Sequence, residues 1–438
     1  MLRRELAIVL RARITWLAAA LAALLIGHGF VLAVDLYTAG SRSVAANALL
    51  AEQFDPLAGI VRPTLGGLYL AVSLLGPLVA ARGLAIEKER RTFAPLLLQV
   101  GAPARLVGAK ALAALAGVGL QLAAPLLLLL VWLTIGGHLA FGETAVALLA
   151  HALYLTFVVA LAVAAAAWTA TLAQAAVVAI LLVAASWAVD ASEGFAALAW
   201  LGRAVDWSVT THLHPMERGT LAVGAALWFV VFAAGALAIA YVGARFDLPR
   251  GRRSLATVAA LFATLLAGGL AHRVRRVIDV TELRRASLPP AAERALRELS
   301  PIRIEVWLDR EDARRHQLES DVLARLRIAR PDADVRAPLD DRAAPVEGER
   351  EEGYGRVVVE IGGARRETRS TSPDELVRTI FEAAGRAPPD LSQPEYPGHP
   401  LVVEGARRSA VLVVAYAGLP LLFIVVGWLV TRSKRRTS

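Results

Sequence analysis

The chain contains no cysteine, which excludes disulfides, thiol catalysis and cysteine-ligated metals. It carries little charge: Asp, Glu, Lys and Arg make up 19% of 438 residues, against about 25% in an ordinary soluble domain. Lysine is confined to Lys88, Lys110 and Lys434. Nowhere does a glycine-rich loop end in Gly-Lys-Ser or Gly-Lys-Thr. Gly108-Ala109-Lys110-Ala111 lacks both the loop and the hydroxyl, so the phosphate cradle of an ATPase is missing. No Ser-His-Asp arrangement or paired carboxylate stands out, and Ser186 has no elbow glycines beside it. No internal repeat is evident. The expectation is a noncatalytic chain without cofactor or metal.

What the chain has in abundance is apolar sequence, 56% of all residues. Its charges are also unevenly placed. Between Arg273 and Arg408 lie 25 of the 47 basic and 26 of the 38 acidic side chains, leaving 22 basic against 12 acidic elsewhere. The net +9 therefore belongs to the apolar part, and nucleic acid is a poor explanation for it; basic residues flanking membrane helices are a better one.

Crossing the roughly 30 Å hydrocarbon layer takes about 20 apolar residues in a helix. Eight stretches qualify, near Ile14 to Val34, Thr64 to Ala81, Ala111 to Ile135, Thr144 to Ala167, Ala175 to Val189, Thr220 to Val242, Ser254 to Ala271 and Ala410 to Val430. Their Ala/Leu/Val-rich runs suit helices rather than alternating barrel strands. With the N-terminus inside, eighteen Lys and Arg flank the inner ends, while Arg42, Arg62, Arg203 and Arg218 occupy the opposite loops. This asymmetry predicts that both termini are cytoplasmic. The first stretch begins after two Arg pairs and lacks a cleavage site, so it reads as a helix, not a signal peptide.

Four regions follow: a six-helix membrane domain over 1–245, a seventh helix over 246–272, an extracytoplasmic α/β domain over 273–409, and an eighth helix with a basic tail over 410–438. Inside the third region Ile302 to Leu308 alternates as a strand, Glu311 to Ile328 reads as helix, and Ala333 to Val335 is extended. Arg356 to Ile361 and Arg365 to Thr368 form a hairpin across Gly362 and Gly363. Ser372 with Glu375 reads as a capping box before a helix to Ala384. The order β-α-β-β-β-α is that of a small α/β fold. An acidic linker at 338–355 and a proline-rich connector from Pro388 to Pro400 complete the region.

The most informative loop joins the second and third helices, from Arg82 to Lys110. A charged cluster from Glu87 to Arg91 precedes an apolar turn from Phe93 to Leu98, then Pro103 and Lys110. Such a segment can lie on the inner membrane surface with apolar residues docked and charges facing a soluble partner. The plainer reading is a positive-inside anchor. Elsewhere, His212 and His214, with Asp206 and Glu217 near, have metal-ligand chemistry, although a surface or packing role is the commoner outcome in a loop. His28, between Gly27 and Gly29, reads as a helix-packing residue, and Asp190 and Glu193 as interfacial charges. Trp132, Trp168, Trp187, Trp200, Trp207 and Trp428 fall near helix ends as an aromatic belt.

Glu87, Glu89, Arg90, Arg91, Thr92, Leu96, Leu97, Pro103, Gly108 and Lys110 occur in the order found in the cytoplasmic connector of type-two ABC exporter permeases, which the first 245 residues resemble. Arg4-Glu5-Leu6 is similar to the amphipathic N-terminal helix of that family, while Phe93, Ala94 and Pro95 depart from its connector. Arg276 to Glu282, Ser287 to Pro289 and Leu296 to Ile304 resemble the start of the extracytoplasmic auxiliary domain of gliding-motility-type ABC systems, here fused to the permease. The resemblance implies a separate ATPase subunit gripping Glu87, Lys88, Glu89, Arg90, Arg91 and Thr92, a homodimer or paired permease, and a periplasmic or surface component at 273–409. The alternative expectation is a membrane-anchored scaffold or sensor whose extracytoplasmic domain binds a ligand without transport.

Overall fold

A computed structural model of the chain describes residues 1–44, 48–191, 201, 204–309, 312–340 and 353–432. Glu193, Trp200, Arg203, Lys434, Arg435, Arg436 and most of the acidic linker lie outside the described residues. Eight helices among those described are long and apolar enough to cross a bilayer. These first to eighth spans are Arg13–Val44, Leu57–Glu89, Pro103–Thr134, Phe141–Trp168, Leu172–Asp190, Val223–Ala244, Arg250–His272 and Gly405–Arg432. Three short helices accompany them: α1 (Leu2–Leu10), α2 (Phe93–Val100) and α3 (Val209–Glu217). The chain divides into two compact units, one of Met1–Val274 with Pro397–Ser438, the other of Arg275–Tyr396.

In the membrane unit the fourth span buries 67% of its apolar window and the seventh only 17%, so the fourth is the centre of the bundle and the seventh its rim. The fourth packs on the second, third, fifth and sixth. Small residues set the close approaches. A Cβ at Gly27 would stand 2.7 Å from the Ala415 carbonyl oxygen, and one at Gly67 2.8 Å from Ile26 Cα, so both positions need a hydrogen for the backbones to meet. His28, beside Gly27, hydrogen-bonds Tyr416 of the eighth span at 2.8 Å.

The first span continues ten residues past the expected Val34, because the polar groups of its last turns find partners in the connector. Tyr37 donates to the His399 carbonyl at 2.7 Å, Thr38 accepts from Val403 N–H, and Arg42 pairs with Glu404 at 2.6 Å. Hydropathy alone ends such a helix too early. The tryptophans expected as a belt divide: Trp428 is exposed, but Trp132 is fully enclosed and donates to the His138 carbonyl at 3.0 Å.

The second unit is a four-stranded sheet of β1 (Ile302–Val306), β2 (Asp334–Arg336), β3 (Val357–Ile361) and β4 (Ala364–Thr368), in the order β2-β1-β3-β4. Strands β1 and β2 are parallel, which requires the helical crossover Ala313 to Ala329 between them. Strands β3 and β4 form the hairpin expected from Gly362 and Gly363, whose φ values of 58° and 87° suit a primed turn. Ile302, Ile304 and Val306 alternate into a core with Leu318, Val322 and Leu326 of the crossover. Helices α4 (Pro290–Arg297) and α7 (Pro373–Ala383) add Leu296, Leu376 and Ile380 to it; α5 (Ala313–Gln317) and α6 (Ala324–Ala329) begin and end the crossover. Arg330 closes α4 by donating to the Leu296 and Leu299 carbonyls at 2.7 and 2.9 Å. The capping box expected at Ser372 does not form: the serine is the N-cap but its side chain bonds no helix N–H. Pro373 occupies the first turn and supplies no donor there.

Candidate functional site

The Arg82 to Lys110 segment folds as the last turns of the second span, a tight corner, α2, and the first turns of the third span. Arg91 makes the corner with φ 57°, a left-handed conformation that glycine adopts more cheaply. Thr92 N–H bonds the Glu87 carbonyl at 2.9 Å and Arg91 N–H the Lys88 carbonyl at 3.0 Å, the bonding of a Schellman turn. Beyond it Phe93 turns inward against Phe246, ring centres 5.7 Å apart, and Leu98 remains 84% exposed.

The charged cluster does not act as one surface. Glu87 turns inward: its carboxylate lies 2.8 Å from Lys110 Nζ, which also pairs with Glu5 of α1 at 3.0 Å and donates to the Gly83 carbonyl at 2.9 Å. Lys110 and Glu5 are both buried, so one cation ties α1 and the second and third spans together in a medium where a charge needs partners. The 2.8 Å approach to Glu87 is an ion pair rather than an aligned hydrogen bond, since its Oε2 has no donor pointed at it.

Lys88 turns toward the fourth span. Its ammonium donates to the Ala166 and Ala167 carbonyls at 3.1 and 2.9 Å and to that of Thr169, capping a helix C-terminus where a cation is favoured. Glu89 accepts from Leu172 N–H at 2.6 Å, a carboxylate on the first turn of the fifth span. Arg90, Arg91 and Thr92 are exposed. From the far side Arg253 of the seventh span stacks over Trp168 and Phe246 at 5.1 and 5.0 Å and bonds the Gly243 carbonyl. The ends of the second, fourth and sixth spans and the beginnings of the third, fifth and seventh thus meet around the corner.

Sequence alone showed the charged run, but not its division into inward and outward members. Glu5 lies 105 residues from Lys110, and no local pattern links them.

A second polar cluster lies toward the opposite end of the second span. The histidines weighed as a metal pair are on a helix, not in a loop: α3 is capped by Ser208, which accepts from Thr211 N–H, and held by Ser186 and Asp190 bonding Val209 N–H and Thr210 Oγ1. Two residues apart on a helix, His212 and His214 face different ways. His212 stacks on Trp228 at 4.3 Å and bonds the Ser208 carbonyl, and burial pushes its imidazole down to about 4. His214 is exposed and stands 4.0 Å from Glu217, which in turn lies 3.4 Å from His151 of the fourth span. Burial raises the Glu217 carboxyl above its ordinary range, against the pull of Arg62 and Arg218.

The fold defines a multi-span membrane protein with a soluble α/β domain inserted between its seventh and eighth spans. Compared with models of known families, with characterised proteins and with solved structures, the chain matches none.

Proposed function

We propose that the chain is the permease subunit of an ATP-driven exporter in a bacterial cytoplasmic membrane, with both termini cytoplasmic, and that it couples through the elbow at Glu87 to Thr92 to a separate ATPase. One observation carries this reading. An exposed pair, Arg90 and Arg91, stands on a corner whose neighbours Glu87, Lys88 and Glu89 are bonded to the third, fourth and fifth spans, with Lys110 carrying the first of these links on to Glu5 of α1. A force applied to the exposed arginines reaches these spans through charge-assisted bonds rather than through a loose loop. A second permease copy would cover the lipid-facing bundle rim, and the inserted domain would engage a periplasmic or surface component.

The test is co-purification from native membranes with nucleotide trapping. The tagged wild-type chain retains an ATPase subunit, and the Arg90→Glu, Arg91→Glu double variant loses it through like-charge repulsion at the contact. A wild-type chain that never retains an ATPase defeats the proposal. A scaffold or sensor gives the opposite pattern: the charge reversal leaves activity intact, and removal of 275–396 abolishes it.

A further inference from the structure

A cavity of about 430 Å³, within the size range of small-molecule sites, opens beside the second span at the end away from the elbow. Arg62, Gly66 and Tyr69 of that span form one wall, and Thr210, His214 and Glu217 of α3 the other. Glu217 is only 7% exposed, yet no described residue donates a hydrogen bond to its carboxylate. His151 Nε2, 3.4 Å from that carboxylate, is itself buried without a hydrogen bond. Across the cavity Arg62 has a buried Nε with no acceptor. A buried carboxylate and a buried guanidinium nitrogen in such positions call for partners, and the space between them is where a partner would fit.

The signs restrict the partner. An anion alone would be attracted by Arg62 and Arg218 but repelled by Glu217 and Asp190; a cation alone would meet the reverse. A ligand carrying both charges satisfies both walls. Depth restricts it further. Arg62 lies five residues into a span that begins at Leu57, about 8 Å along the helix, a depth comparable with the thickness of a headgroup layer. From the cavity an apolar exposed track descends at helical spacing through Gly66, Leu70 and Leu74.

We propose that this cavity binds the headgroup of a zwitterionic membrane lipid, with the phosphate on Arg62, the ammonium on Glu217 and the chains along the Gly66, Leu70 and Leu74 track. The assignment goes beyond ATPase coupling and is measured on the chain alone, so either reading can fail without the other.

The experiment is native mass spectrometry of the full-length protein in detergent, titrated with phosphatidylethanolamine, phosphatidylglycerol or soluble phosphoethanolamine. Phosphatidylethanolamine is expected to bind saturably, and phosphatidylglycerol roughly tenfold more weakly for want of the ammonium contact. Glu217→Gln should erase that preference. Gly66→Leu is the variant least disturbing to folding, since an added Cβ there meets nothing within 4 Å and leucine favours a helix over glycine. It should weaken phosphatidylethanolamine binding roughly tenfold or more by filling the cavity. Equal affinity for the two lipids in the wild type, or unchanged binding in Gly66→Leu, would overturn the proposal. Soluble phosphoethanolamine binding as tightly as the lipid would overturn the membrane source.

Discussion

The second span carries a buried charged cluster toward each end, and the two are built on opposite terms. At the elbow, Lys110 is enclosed by Glu5, Glu87 and the Gly83 carbonyl, so each of these charges has an opposite charge within 3.0 Å. Toward the other end, Glu217 and Arg62 line one cavity, where Arg62 Nε has no acceptor and Glu217 has beside it the imidazoles of His151 and His214, at 3.4 and 4.0 Å. Charges closed on one another at ion-pair distance are a clamp; charges set apart across open space are a receptor. Helix α3 has a closed and an open side, with His212 packed against Trp228 and His214 and Glu217 turned to the cavity.

Three measurements of stability in detergent tell a clamp from a receptor. The largest effect is expected at the clamp. Lys110→Met leaves the buried Glu5 and the half-buried Glu87 without a cation and should cost about 3–5 kcal/mol, read as a large fall in unfolding midpoint; a change under about 1 kcal/mol would mean that water already reaches the triad.

Next comes pH. The folded-state imidazole of His212 binds its proton less tightly than an unfolded one, beneath Trp228 and facing His272, Asp206 and the Ser208 carbonyl. Its contribution is complete above the ordinary value of 6.5 and drains as pH falls toward about 4, by up to about 3 kcal/mol. His212→Gln should flatten the stability profile in that window, and an unchanged slope would place the sensitivity elsewhere.

The smallest effect belongs to the receptor. Glu217 has a raised folded-state value, so its contribution is present below the ordinary value of 4.5 and lost as pH rises through the raised one. At neutral pH without lipid, Glu217→Gln should therefore leave stability unchanged or raise it by about 1 kcal/mol at most. A marked loss would show that the carboxylate is clamped like Glu87.

Much of this architecture was legible beforehand. Apolar runs long enough to cross a bilayer announce themselves by length, and all eight expected spans are present, although the first runs past its hydropathy limit where tertiary bonds extend it, at Tyr37 and Thr38. The β-α-β-β-β-α order was also legible, because strand alternation at Ile302 to Val306 and the Gly362-Gly363 turn are local signals. Helix α4 was not: eight residues, from the second proline of Pro289-Pro290 to just short of Ser300-Pro301, give too little periodicity to read. For the elbow, the sequence showed which residues are charged, but the inward turn of Glu87 and Lys88 depends on distant partners.

By itself, then, the sequence determined the solvent of each part of this protein, since burial in lipid or water is set by composition summed over short stretches of chain. Only the tertiary structure decided which charges are clamped and which are open. That choice depends on partners such as Glu5 with Lys110 and Arg62 with Glu217, brought together by helix packing over separations at which no local preference acts.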